Sequence, residues 1–235
     1  MDVRLSEDDV VPPLWFAYRK TSEYRSGLVK AIPAHHPLVE RQERNGLMAI
    51  YSSFIEKLNS TKNAKFELKN RTIGEWLEEW KNMHKLLFRH ILKDCGGWRK
   101  TEVRFGTPGD EDLYHIPSSR KIPQEINTLG NMICELISKE YLSNQDKYTV
   151  LAKIHYQFIR IHPFADGNGR IARAITDQLS IFFGLPTAMA GYPRHDEGTR
   201  KHYHEAIRFC VEDPNCSRLA LWISGYIEEQ LGRLA

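Results

Sequence analysis

The stretch IHPFADGNGRIAR, from Ile161 to Arg173, sets a histidine, a carboxylate, an asparagine, two glycines and two arginines in one short segment. Pro163 directly follows His162, and a residue before proline is pushed out of helical geometry. A helix arriving from the N-terminal side therefore ends at His162, and the next can start only after the glycines. The segment reads as a helix–loop–helix junction. Gly167 and Gly169 permit backbone conformations closed to other residues and let a ligand come close. The N–H groups of residues 167–170 open the second helix, and with its dipole they form an anion site.

The side chains fit a phosphate in that site. Arg170 and Arg173 are three apart, so they share a face near the helix start. Two guanidinium forks can clamp a polyphosphate. Asn168 can donate to a phosphate oxygen. Asp166 would be repelled by phosphate unless a cation intervened, and Mg²⁺ bridging the two resolves that conflict. His162 can take a proton near neutral pH, which suits attack by an alcohol on an activated phosphate. Phe164 reads as an apolar anchor for the loop.

Outward from this segment the chain is helical in pattern. Leu47, Ile50, Phe54, Ile55 and Leu58 form one stripe of a helix starting near Val39. Residues 72–93 repeat it with Trp76, Trp80, Met83, Leu87 and Ile91, and Thr72 with Glu75 makes a capping box. Further helices are expected near 123–137, 147–161, after Asn168, and over about 199–212 and 217–231. Between Trp98 and Pro117 the character changes to glycines around the β-type run Thr101–Phe105, with a Thr107–Asp110 turn, which predicts a β-hairpin. The class is all-α with one small hairpin. Residues 1–44 carry several prolines and are set apart as an N-terminal extension from a domain at 45–235.

Composition narrows the function classes. The chain has 235 residues, is 41% hydrophobic and 27% charged, and carries a net charge of +3. Such a mild, unclustered excess gives no footprint for nucleic acid. No run approaches a membrane span, and the acidic N-terminus lacks a leader's apolar stretch, so the expectation is a cytoplasmic protein. Cys95, Cys134, Cys210 and Cys216 form no CxxC pair and read as reduced thiols. His202 and His204 point apart on a helix, which disfavours zinc, and the glycine loop matches neither a calcium loop nor a Walker motif.

With these residues in view, the segment resembles the signature of the Fic family, H-x-F-x-[DE]-G-N-G-R-x-x-R, at every defined position: His162, Phe164, Asp166, Gly167, Asn168, Gly169, Arg170 and Arg173. The resemblance implies a Fic-type helical bundle over roughly 45–230 with the 98–117 hairpin as its flap. It implies transfer of AMP from ATP to a hydroxyl side chain of a target protein. His162 would be the general base, Asp166 would hold Mg²⁺, and Gly167 to Arg170 would form the anion hole. Asn168 would steady the α-phosphate and Arg173 would grip the γ-phosphate. Related Doc kinases carry lysine at the position of Gly169, so glycine favours AMP transfer. The flap would bind an extended target segment as an added strand. Tyr203 stands where the family often places an aromatic that lines the nucleotide. Many members also carry an inhibitory helix, [ST]-x-x-x-E-[GN]. Ser52 and Glu56 match it upstream of the core, with Lys57 in place of the last residue, and Glu56 would pair with Arg173. A reverse, AMP-removing enzyme, another nucleotide-dependent transferase and a silent binding module remain alternatives. Self-association is left open.

Overall fold

The computed structural model describes residues 37–60, 68–89, 92, 95–103, 115–139, 143–189 and 196–234. Among these residues there are seven α-helices: α1 Pro37–Ser60, α2 Ile73–Phe88, α3 Ile122–Ser138, α4 Asn144–Ile161, α5 Asn168–Phe182, α6 Glu197–Phe209 and α7 Ser217–Leu234. A short 3-10 turn, Ser119–Lys121, leads into α3. The all-α expectation is met. Residues 104–114, most of the expected hairpin, lie outside the described residues, as do 1–36 of the expected N-terminal extension. Residues 101–103 are irregular rather than strand. Helix α1 runs unbroken across the expected boundary at 44/45.

Local chemistry explains where the helices start and stop. The Thr72–Glu75 capping box is formed, with each partner bonding the other's backbone, and it opens α2 at Ile73. Helix α4 starts at Asn144, ahead of the expected 147, because Ser143 and Asp146 form a second capping box. Helix α6 starts at Glu197, where the Asp196 carboxylate accepts from the Thr199 N–H, and it closes at Phe209 rather than 212.

Helix α4 is the spine of the fold, packed against α3, α5 and α7. Its Leu151, Ile154 and Phe158 are fully buried. Trp80 of α2 meets Phe158 edge-on, with ring centroids 5.6 Å apart. Truncating a buried aromatic of this kind costs about 3–5 kcal/mol. The same cluster reaches the junction after α4. Phe164 is fully buried and lies flat on His84, with centroids 4.2 Å apart and planes 8° from parallel. The anchor expected of Phe164 is therefore present. It ties the 162–167 loop to the floor made by α2.

Candidate active site

Helix α4 ends at Ile161, and His162 takes the left-handed conformation, φ 51° and ψ 57°. For a residue with a β-carbon that costs about 1–2 kcal/mol, so the surroundings must hold it there. The His162 N–H still bonds Phe158 O at 3.1 Å. Its ring Nδ1 lies 3.1 Å from Ile159 O. A carbonyl only accepts, so Nδ1 carries the hydrogen and Nε2 carries the lone pair. Burial, the larger cause, and the nearby Arg99 push the His162 pKa down to about 4. The imidazole is therefore neutral at pH 7, in the tautomer that can take a proton at Nε2.

The loop that follows braces itself. The Phe164 N–H donates to Asn168 Oδ1 at 2.9 Å, and Asn168 Nδ2 donates back to Phe164 O at 2.8 Å. The Asn168 amide is thus engaged on the loop, where a phosphate partner was expected. Gly167 has φ 81°, and an added Cβ would come within 2.5 Å of the Phe88 ring, so only glycine fits. The expectation that Gly169 also needs special backbone freedom is corrected. It is an ordinary residue of α5, and an added Cβ would meet only Arg173 Nη1, at 3.5 Å. What glycine keeps clear there is room beside a guanidinium.

Helix α5 opens at Asn168, but the anion hole expected of residues 167–170 is narrower, because the Gly167 N–H already bonds Asp166 Oδ1. The N–H groups of Arg170 and Ile171 both bond Gly167 O, which leaves those of Asn168 and Gly169 as first-turn donors with no intrahelical acceptor. Asp166 stands at this mouth. Its Oδ1 accepts from the Gly167 N–H at 2.5 Å and from Arg170 Nη2 at 3.1 Å, and its side chain is 29% exposed. A partly open carboxylate beside a helix start suits a hard cation shared with phosphates. No group of three or more His, Cys, Asp or Glu among the described residues could hold a metal alone, so Mg²⁺ here would lean on nucleotide oxygens.

Both arginines are buried, with different company. Arg170 pairs with Glu43 of α1 at 3.2 Å and lies over the Phe88 ring, 4.7 Å from its centroid. Glu43 is 0% exposed. Arg173 sits in the field of Asp177, Tyr51 and His155. Tyr51 of α1 donates to Asp177 Oδ2 at 2.6 Å, and the Met189 N–H donates to Oδ1 at 2.7 Å. Burial lifts the Asp177 pKa to about 6 against those hydrogen bonds. Burial, with the Arg173 charge, pushes His155 down to about 3.

Two expectations give way. Ser52 and Glu56 are exposed, and no ion pair joins Glu56 to Arg173. The reason is helical phase. Glu56 lies nine residues after the buried Leu47, about two and a half turns, which puts it on the opposite face. Glu43 lies four residues before Leu47, on the same face, and reaches the motif through Arg170. Tyr203, expected to line the nucleotide, is buried in the core. Its hydroxyl is 2.6 Å from His155 Nε2 and its ring packs on Trp222. Glu43, Tyr51, His84, Arg99 and Asp177 were not anticipated. Their only sequence signal is a polar residue on an otherwise apolar helix face or beside a glycine turn.

The fold and junction define a helical bundle whose site pairs a neutral histidine with an open helix start flanked by two arginines. Residues 76–180 match the Fic/DOC family. The chain is 28% identical over 134 residues to the protein adenylyltransferase Fic of Drosophila willistoni, a match covering 57% of this chain and 23% of that one. The corresponding Drosophila virilis protein is 26% identical over 156 residues, 66% of this chain and 26% of the other. The chain thus spans about a quarter of the length of the curated relatives it matches. Among solved structures, BepC of Bartonella tribocorum with bound AMPPNP aligns with a TM-score of 0.61 at 16% identity, over 88% of this chain and 93% of that one. Fic-1 of C. elegans aligns with a TM-score of 0.60 at 17% identity, over 93% and 57%. These structural matches bear on the fold. No helix among the described residues is long and apolar enough to cross a membrane.

Proposed function

We propose that this chain is a protein adenylyltransferase that moves AMP from ATP to a hydroxyl side chain of a target protein. The observation that carries the reading is His162, neutral and pinned at Nδ1, placed where α4 hands over to the open start of α5. The target hydroxyl oxygen attacks the α-phosphorus, and the bond from that phosphorus to the bridging oxygen breaks, releasing pyrophosphate. His162 Nε2 takes the hydroxyl proton. The amides of Asn168 and Gly169 hold phosphate oxygens at the helix start. Arg170 and Arg173 add charge-assisted contacts to the polyphosphate. Asp166 would hold Mg²⁺, which when bound offsets phosphate charge. In this reading residues 45–235 form the catalytic domain, and the 98–117 segment receives the target as an extended strand. Relatives named protein adenylyltransferase support the activity class.

The test is incubation of the whole chain with α-labelled and, separately, γ-labelled ATP, with auto-modification or an added target as readout. Label from the α position alone is expected in protein. His162→Ala should lose it by about 10²–10⁴-fold while still binding ATP. Label from the γ position would mean phosphate transfer, and no label from either would mean a binding module. Because Glu56 faces away from Arg173, Glu56→Gly should leave the rate unchanged.

A further inference from the structure

Arg99 lies at the N-terminal foot of the expected flap, between the glycines and Thr101. It is 4% exposed. Its guanidinium donates to backbone carbonyls from three segments. Nε bonds His162 O at 2.7 Å, and Nη2 bonds Pro117 O at 2.5 Å and reaches Ile161 O at 3.5 Å. Nη1 bonds Thr101 O at 3.0 Å. Its own amide donates to Pro163 O at 2.8 Å. One residue therefore occupies the carbonyls of 161, 162 and 163 in succession. Glu102, 3.6 Å from Nη1, accepts in turn from the Ser119 N–H and hydroxyl.

The last carbonyls of a helix have no intrahelical donor, and a cation there meets the negative end of the helix dipole. Only a guanidinium presents several N–H groups in one rigid plane, enough to serve three segments together. The residue whose carbonyl takes the 2.7 Å bond is also the one held in left-handed geometry.

We propose that Arg99 is a positioning residue for His162: it holds the left-handed backbone there, so sets the aim of the imidazole, and ties that aim to Thr101 and Pro117 on either side of residues 104–114. Arg99 touches no reacting atom. It acts through the chain it clamps. A purely structural arginine would change stability while leaving the His162 ring and the catalytic step alone.

The rate measurement rests on the adenylyltransferase reading; the spectroscopic ones do not. In Arg99→Lys, which keeps charge but loses the fork, kcat should fall by about tenfold or more with the KM for ATP little changed. Arg99→Gln should fall further. The His162 ring resonances should shift in both variants. In the wild type, the Arg99 Nε–H should be resolved and slow to exchange at pH 7. Unchanged kcat with unchanged His162 resonances would overturn the proposal, as would a raised KM with kcat intact. If neither variant folds, the wild-type Nε–H decides: slow exchange supports the clamp and exposed-arginine exchange overturns it. If the wild type transfers no label, the adenylyltransferase reading fails, and the His162 and Nε–H signals still judge Arg99.

Discussion

Helices α2 and α5 are nearly equal in length, 16 and 15 residues, yet they are built on opposite plans. Helix α2 buries one apolar stripe through Trp76, Trp80, Met83 and Leu87 and leaves Glu75, Glu78 and Lys85 in water. Helix α5 is buried on nearly every side, and Arg170, Arg173, Thr176, Asp177, Gln178 and Ser180 are buried with it. A polar group taken out of water must find a partner. For Arg170, Asp177 and Gln178 those partners come from elsewhere: Glu43 and Tyr51 from α1, Glu79 from α2, and the Met189 amide. Helix α2 is a stability device that the rest of the chain leans on. Helix α5 is a charged instrument that the rest of the chain holds in place.

Acid should break this contrast most strongly. His84, His155 and His162 have pKa values lowered to about 4, 3 and 4, chiefly by burial. The unfolded chain takes up protons below the ordinary histidine value of 6.5, while the folded chain refuses them. Stability is therefore full above that value and is lost as pH falls toward the folded values. Each histidine contributes up to about 3 kcal/mol to the loss at pH 4. Asp177, raised to about 6, works the other way, since its contribution is present at low pH and lost as pH rises through the folded value. Denaturant midpoints should drop steeply from pH 6.5 to 4. His155→Gln should flatten that slope and Asp177→Asn should steepen it.

Trp80→Ala should come next, at about 3–5 kcal/mol of unfolding free energy, because it opens a cavity against Phe158. A transfer rate per folded molecule close to wild type would confirm that α2 serves stability. Arg173→Ala should do the reverse, weakening nucleotide handling by about 1.5–3 kcal/mol in kcat/KM, as for one charge-assisted contact. The smallest effect belongs to Thr72→Ala, which removes the cap of α2 and should cost about 1 kcal/mol with no change in nucleotide affinity. If Thr72→Ala altered catalysis while Arg173→Ala altered only stability, the division between the two helices would be wrong.

Much of α2 was legible from the chain because its signals are local. The Trp76–Leu87 stripe and the Thr72–Glu75 box need only their own neighbours in sequence. The junction was legible for the same reason: Pro163 and Gly167 act on adjacent backbone. The misreadings were matters of phase and distance. Glu56 fits an inhibitory spacing, but only the burial of Leu47 reveals which side of α1 faces α5. Tyr203 was a plausible lining residue until His155, 48 positions earlier, claimed its hydroxyl. Asn168 was read as a phosphate donor because the sequence does not disclose that Phe164 engages its amide.

Sequence alone determined the helical class, the break at His162, the glycine at 167 and which polar side chains crowd the junction, since each follows from short-range sterics, periodicity or side-chain chemistry. The assembled fold decided how those groups are held. It set Glu43 rather than Glu56 against the motif, buried both arginines, kept His162 neutral with its proton on Nδ1, and brought Arg99 across 63 positions onto the His162 carbonyl. The physical reason is that pKa shifts, ion pairs and strained backbone depend on what lies within a few ångströms in space, and those neighbours come from distant parts of the chain.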